Sequence, residues 1–557
     1  MPFHTHYPLQ AQTAVAARRL ALWSALIFPL LAKAAPSDVT FSQSTPAVEA
    51  YDFIEVTLNL AKPDAANPFT DVRVEGQFGS AVGGAKTFVT GFCDASDGSV
   101  FRIRFMPSAA GDYTYSVIYK QGDYQKSYEG TFQAAKGQRR GLLRVDPEHR
   151  WHFIWEGTGE HFFFNGTTAY YVMGWSDEKI IQASIDRLHK LDVNRMRVQL
   201  SGRVSTMFGE AVMNGKNFSV LLLPWPAKHP GSFENPDFDY THFAVPYWQK
   251  FERLLRFARE EDMNISVVLN CNDAQSNIGA GSENERRFID YALARLTAFS
   301  NVTWDLGDDL SSFRDLKWTH DTGTYLVNAD PYHHLATSHP AQIEPQDRGS
   351  DWVGFTSIQD WGRTQHALML AQREVQTKSG RIIPQTNEEY GYEDHYPLWA
   401  PKPPGDSAET LRRVAWDIAM AGAYGTGAES CRRGVNIWPD TGGGWIAGRG
   451  DDTMVLFKGY GHLVHFLTSF HWWETDPHDE LIDNGAYCLA KSGEIYAAYL
   501  PHGGKATMKI APGRYTANWF NPRTEDKQPI GRIEGPSWTS PSSPDGDDWA
   551  LLLLKAP

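Results

Sequence analysis

The chain has little cysteine, no excess of positive charge and a single long apolar run. Each shortage removes a class of function. Four cysteines in 557 residues (Cys93, Cys271, Cys431 and Cys488) are too few for a disulfide scaffold. None forms a Cys-x-x-Cys pair, and no Cys/His grouping has zinc-finger spacing. Cys271 and Cys431 fall in the same expected domain and are the candidates for a pair; buried free thiols are the default. Lysine and arginine total 52 against 66 acidic residues, a formal net charge of -14. So acidic a chain is a poor partner for nucleic acid or an anionic membrane surface, and a neutral partner fits it better. Beyond the first residues nothing approaches the ~18 apolar residues of a membrane span, so no stable membrane insertion is expected of the mature chain. No segment speaks to oligomeric state.

The apolar run stands at the start. Arg18 and Arg19 precede LALWSALIFPLL, and Ala32-Lys33-Ala34 follows. A basic region, a short apolar core and an A-x-A site predict a signal peptide over 1–34, hence a secreted or periplasmic protein. An uncleaved anchor is the competing reading, and the paired arginines also allow a twin-arginine route. Removing 1–34 takes away three positive charges and no acids, which moves the net charge to -17.

Aromatic residues are plentiful, 13% with 19 tryptophans. Most belong in cores, but an apolar ring face also stacks on the C–H face of a sugar. Residues 35–140 read as a β-sandwich, from VTFSQS, IEVTLNL, VRVEGQF, FRIRFMP and YTYSVIY, separated by turn residues. The polar stretch AAKGQRRG closes it. Residues 141–472 alternate strand-like runs (HFFFNGTTAY, VNRMRVQL, NISVVLN, NVTWDLGD) with helical patterns such as SDEKIIQASIDRLHKL and YWQKFERLLRFAREED. That repetition predicts parallel strands with crossover helices, and about 330 residues suit a (β/α)8 barrel. A doubly wound open sheet is the alternative, disfavoured because no Gly-rich dinucleotide turn follows the first strand. Further strands are expected at 333–339, 352–359 and 381–388, with the eighth just after the helix AETLRRVAWDIAMAGAYG. Residues 201–240 read as a long insertion at the barrel mouth. Residues 473–557 return to short strands and predict a small C-terminal β-sandwich.

In such a barrel, chemistry sits at the C-terminal strand ends. Two acidic clusters fall there. NVTWDLGDDL ends in Asp308 and Asp309, and RIIPQTNEEYGYED carries Glu388 and Glu389, with Tyr392 and Glu393 beyond. Asp309 and Glu389 are 80 residues apart, about three βα units, which puts them on strands four and seven. A carboxylate pair is what glycosidic hydrolysis requires, one to protonate the leaving oxygen and one to attack carbon or activate water. A helix cap or turn for the first cluster, and a solvated loop for the second, are the plainer alternatives.

The segments HFFFNGTTAYY, NVTWDLGDDL, DWVGFTSIQDWG, IIPQTNEEYGYE, LRRVAWDIAMAGAYGTG and RYTANWFNPRTED, in that order, resemble the apiosidase-like family of barrel glycoside hydrolases. The resemblance covers roughly residues 150–525. Members carry a small C-terminal β domain of collagen-binding type, and the N-terminal β domain resembles a module found ahead of such barrels. The family's fourth-strand pattern Trp-x-Leu-Gly-Gly-Asp, laid on Trp304 to Asp309, implies Asp309 as acid/base. Its seventh-strand pattern, laid on Pro384, Glu389, Tyr392 and Glu393, implies Glu389 as nucleophile in a retaining mechanism. Two departures stand out. The family's Gly-Asp-Thr-Ala-Trp is here Gly166-Thr167-Thr168-Ala169-Tyr170, and Asp308 replaces a Gly. Both point away from apiose as the sugar.

The expected electrostatics follow from that assignment: Asp308 raises the pKa of the acid beside it, and Glu389 stays ionised. Candidate sugar-binding residues are Asp308, Glu388, Asn270, Asp273, His339, Gln359, Asp360, Trp361, Tyr392 and Trp445. No cofactor is expected. His333, His334 and His339 lack carboxylates at metal-ligand spacing, and the run TGGGWIAG lacks the Lys-Ser/Thr of a phosphate loop. The reading is therefore an exported glycoside hydrolase acting on a plant- or algal-type polysaccharide or oligosaccharide. A catalytically inactive carbohydrate-binding protein is the alternative, and a polysaccharide lyase is a third.

Overall fold

The computed structural model describes residues 37–201, 217–232, 235–270, 278–393, 406–429, 448, 450 and 452–556. Its centre is one sheet of eight short parallel strands: Asn165–Thr168, Arg195–Gln199, Asn264–Val268, Val302–Asp305, Ala336–Thr337, Thr356–Gln359, Gln385–Glu389 and Tyr424–Gly427. The first strand pairs with both the second and the eighth. The fifth and sixth meet through the segment ahead of the sixth, where the Gly354 N–H donates to Ala336 O at 2.8 Å. The sheet is a nearly closed barrel, not the open doubly wound alternative.

Helices Glu178–Lys190, Val245–Glu260, Glu283–Leu296, Leu316–Ala329, His366–Ser379, Ala408–Met420 and Leu456–Thr468 clothe it. Local chemistry starts several of them. Asp177, Ser282, Asp315 and Ser407 each accept a backbone N–H of the first turn, worth about 1 kcal/mol apiece. Between the fifth and sixth strands the described chain runs in turns instead of a helix.

Strands Leu143–Val145, Phe153–Trp155 and His161–Phe162 form a small sheet at the other end of the barrel. Phe153 packs there on Phe164, Phe355 and Tyr424, which stand at the starts of the first, sixth and eighth strands. The barrel thus has its mouth at the C-terminal strand ends alone.

The N-terminal region is a sandwich of a four-stranded and a five-stranded sheet. One of its longest strands, Tyr124–Ala135, is absent from the sequence-based strands, because most of it alternates between exposed and half-buried polar positions. The sandwich is keyed to the barrel by buried charge. Arg104 donates to Glu252 Oε2 at 2.8 Å and to the Arg295 carbonyl at 2.9 Å; Arg295 in turn bonds Glu252 and Asp94. Buried ions must be paired in this way, since an unpartnered one costs several kcal/mol. Beyond the barrel, a six-stranded sheet faced by a two-stranded ribbon forms the C-terminal domain. Arg412, on a barrel helix, forks onto Asp548 of this domain at 2.6 and 2.9 Å. Among the described residues no helix is long and apolar enough to cross a membrane.

Candidate active site

Two arginines on the second strand organise the barrel interior. In RMRVQ, side chains two apart face the same way, so Arg195 and Arg197 both point inward, and both are fully buried. A charge on a wholly buried strand must find counter-charges. Arg195 Nη1 donates to Glu388 Oε2 at 2.7 Å, and Thr426 Oγ1 donates to the same oxygen at 2.9 Å. One level nearer the mouth, Arg197 donates to Asp305 Oδ2 at 3.1 Å, to Asp308 Oδ1 at 3.2 Å and to the Tyr170 hydroxyl at 2.8 Å.

The fourth strand ends at Asp305, and a tight loop follows. Asp305 Oδ1 accepts the Gly307 N–H at 3.0 Å. A Cβ on Gly307 would lie 2.8 Å from Leu310 Cδ1 and 3.0 Å from the Asn270 carbonyl, so a larger residue would crowd the loop. Asp309 then takes a left-handed backbone, φ 52°, which Asp tolerates better than most residues. Asn270 braces this loop. Its amide donates to Leu306 O at 3.0 Å, and its carbonyl accepts the Asp308 N–H at 2.9 Å. Asn270 thus supports the loop with its main-chain carbonyl and one amide N–H.

On the seventh strand a bulge explains how two adjacent glutamates both turn inward. The register to the sixth strand runs Ile358 to Asn387, then Gln359 to Glu389, skipping Glu388. Glu388 faces the interior layer, fully buried, where Arg195 and Arg197 outweigh burial and hold its carboxyl below the usual range. There it cannot reach a substrate, which corrects the expected sugar-binding role. Glu389 faces the mouth. Gln359 Nε2 donates to its Oε1 at 3.0 Å, Tyr392 hydrogen-bonds it, and the Tyr170 hydroxyl stands 3.4 Å from its Oε2.

Asp308 completes the group. Its Oδ1 takes the Tyr170 hydroxyl hydrogen, the His339 Nδ1–H at 2.6 Å and Arg197. Burial opposes its charge, but these donors and the charges of His339 and Arg197 hold the carboxyl well below the usual range. Glu389 goes the other way. Burial first, then the charges of Asp308 and Asp309, push it well above the usual carboxylate range against the pull of Arg197 and the Tyr392 hydrogen bond. The direction at Glu389 is opposite to the expected one, since a nucleophile held ionised would not be pushed up. The physical reason is that Arg197 and His339 both lie against Asp308.

The remaining candidates divide. Asp360 turns back into its own loop, accepting the Gly362 N–H at 2.9 Å and the Gln365 amide. Both bonds fall on one carboxylate oxygen and hold the loop in place. Trp361 packs edge-on against Tyr392, ring centroids 5.2 Å apart. Asp273, Trp445, Cys271 and Cys431 lie outside the described residues. His334 is bonded to Asp330 at 2.7 Å, away from the mouth. Among the described residues, Asp308, Asp309 and His339 form the one acid and imidazole group tight enough to surround an ion, one ligand atom of each within 4.8 Å.

Sequence reasoning missed Arg195, Arg197 and Asp305, and it treated Tyr170 only as a departure from a pattern. The signal for the arginines was present: two charges at alternate positions of a strand with no solvent face. The structure also joins the two departures, since Tyr170 and Asp308 are bonded to each other.

Residues 150–430 match the family model described as apiosidase-like, catalytic domain. Residues 47–120 match a domain of unknown function, and 478–554 match a domain described as "Putative collagen-binding domain of a collagenase". Among solved structures the chain is similar to a "putative glycoside hydrolase" from Bacteroides vulgatus, at 19% identity and a TM-score of 0.77 over 92% of this chain and 100% of that one. It is also similar to a glycoside hydrolase family 5 protein from the same organism, at 16% identity and a TM-score of 0.57 over 75% and 93%. No curated protein matches the sequence. At such identities the solved structures speak for the fold, whereas the family model spans half of the chain. The chain belongs to the apiosidase-like family of glycoside hydrolases.

Proposed function

We propose that the protein is an exported, retaining glycosidase for a neutral plant- or algal-type glycan, with Asp309 as acid/base and Glu389 as nucleophile. The observation that carries this is the meeting of the fourth and seventh strand ends, where Asp308, Asp309 and Glu389 feel one another's charge. In the first step Asp309 gives its proton to the glycosidic oxygen while the Glu389 carboxylate attacks the anomeric carbon. Water then releases the sugar with Asp309 taking the proton back. Three acids around the sugar disfavour uronates, which supports a neutral substrate.

The test is a screen of polysaccharides and aryl glycosides with mature protein, followed by the anomeric configuration of the first product by NMR. Retention with loss of turnover in Asp309→Asn and Glu389→Gln supports the reading. Inverted product would replace the nucleophile with a base, and wild-type turnover in both variants would remove the assignment. Glycan binding with no cleavage of any substrate would favour the carbohydrate-binding alternative.

A further inference from the structure

Glu389 is held by its backbone as well as by its carboxyl. Gln359, the last residue of the sixth strand, donates to Glu389 Oε1 at 3.0 Å. The Glu389 N–H in turn donates to Asn387 Oδ1 at 3.2 Å. This second bond closes a ring over Glu388, the residue that the bulge skips in the register with the sixth strand. A side-chain oxygen that takes the N–H two residues ahead competes with the strand ladder and bends the chain. In a regular strand residues 385, 387 and 389 would share one face. Gln385 donates to the Met369 carbonyl of helix His366–Ser379 at 3.0 Å, so that face looks outward to the helices.

The other end of the Asn387 amide is tied down. Its Nδ2 donates to the Asp360 carbonyl at 3.0 Å and to Gln365 Oε1 at 3.1 Å. Gln365 Nε2 returns to the Asp360 carbonyl at 3.2 Å and to the Gly362 carbonyl at 3.0 Å. The Gln365 N–H donates to Asp417 Oδ2, on helix Ala408–Met420, at 3.2 Å. Asn387 and Gln365 are both fully buried. Chemistry fixes the sense of the Asn387 amide, since a backbone N–H needs an acceptor and a carbonyl needs a donor. One side chain therefore joins the loop 360–365 to the backbone of Glu389. A lone Asn in a strand does not announce this in the sequence; the bonds at both ends of its amide do.

We infer that Asn387 is a positioning residue for Glu389: its amide holds the bulge that turns this glutamate from the helix face of the strand to the mouth. It acts through the Glu389 backbone and not on the sugar. The kinetic consequence rests on the proposed nucleophile role of Glu389, whereas the placement of the carboxyl does not and can be observed without any substrate.

The experiment pairs Asn387→Ala with Gln385→Ala, which removes another buried amide from the same strand and leaves the bulge alone. Crystal structures and aryl-glycoside kinetics are compared on the whole protein. In Asn387→Ala the Glu389 carboxyl should move by about 1 Å or more and lose its Gln359 bond, and kcat should fall about 100-fold with KM nearly unchanged. Gln385→Ala should lower the melting temperature as much and leave kcat within a few-fold of wild type. In Asn387→Ser the hydroxyl can take the Glu389 N–H but is too short to keep the loop, so kcat should fall only about tenfold. A Glu389 carboxyl that stays in place in Asn387→Ala would overturn the inference. So would equal kcat losses in Asn387→Ala and Gln385→Ala. If Asn387→Ala does not fold, the serine variant decides, and wild-type kcat in it would overturn the inference. If wild type cleaves no glycoside while the carboxyl moves as stated, the proposed function fails and this inference stands.

Discussion

Glu388 and Glu389 are neighbours on one strand, of one residue type and both buried, yet their carboxyls are pushed in opposite directions. Glu388 lies in the layer of Arg195, with donors from Arg195 and Thr426, and its carboxyl is held below the usual range. Glu389 lies in the layer of Arg197, where Asp308 has taken that arginine and His339, and burial with the charges of Asp308 and Asp309 pushes its carboxyl up. Burial alone does not set a carboxyl's state; the allocation of a few buried cations does. The lower layer is built for stability and the upper layer for chemistry.

The strongest way to break this comparison is to remove one carboxylate at a time. Glu389→Gln should cost at least about 10³-fold in kcat/KM with little change in melting temperature, because it removes a reacting group. Glu388→Gln should do the reverse. It should lower unfolding free energy by about 3 kcal/mol, because Arg195 loses its buried counter-charge, and leave the turnover of folded molecules within a few-fold. Denaturant unfolding and initial rates on the same preparations separate the two, and equal activity losses would erase the distinction between layers.

A third carboxylate sharpens the point. Glu252, between Arg104 and Arg295 at the sandwich–barrel junction, has its pKa brought down to about 2 against burial. Its folded value lies below its unfolded one, so its contribution is complete above the unfolded value near 4.5 and fades as pH falls toward 2. Glu252→Gln should flatten that part of the acid stability curve, a difference of about 3 kcal/mol at neutral pH. The smallest effect belongs to the brace. Asn270→Ala should cost about 1 kcal/mol and roughly tenfold in kcat, since the Asp308–Asp309 loop loses one of its hydrogen bonds but keeps its charges.

The barrel was readable from strand-helix alternation, and the two acidic clusters from their place at strand ends. What stayed hidden has physical causes. The fifth strand, expected over 333–339, is only Ala336–Thr337, too short to show a period that would fix its bounds. The bulge at Glu388 is a backbone event with no signature in QTNEE, yet it decides which glutamate meets the substrate. The direction at Glu389 was not foreseen because Arg197 and His339, distant in sequence, both close on Asp308.

Arg104 has one more consequence, for anyone who would cut this chain into parts. Its guanidinium belongs to the first module by sequence and to the barrel helices by contact. A barrel expressed from residue 141 onward would present Glu252 and Arg295 to solvent across a surface shaped to be covered. A foreign module fused there would need an arginine at the same height to fit. The seam between the modules is drawn by buried charge and not by the linker, so these pieces are not interchangeable cassettes.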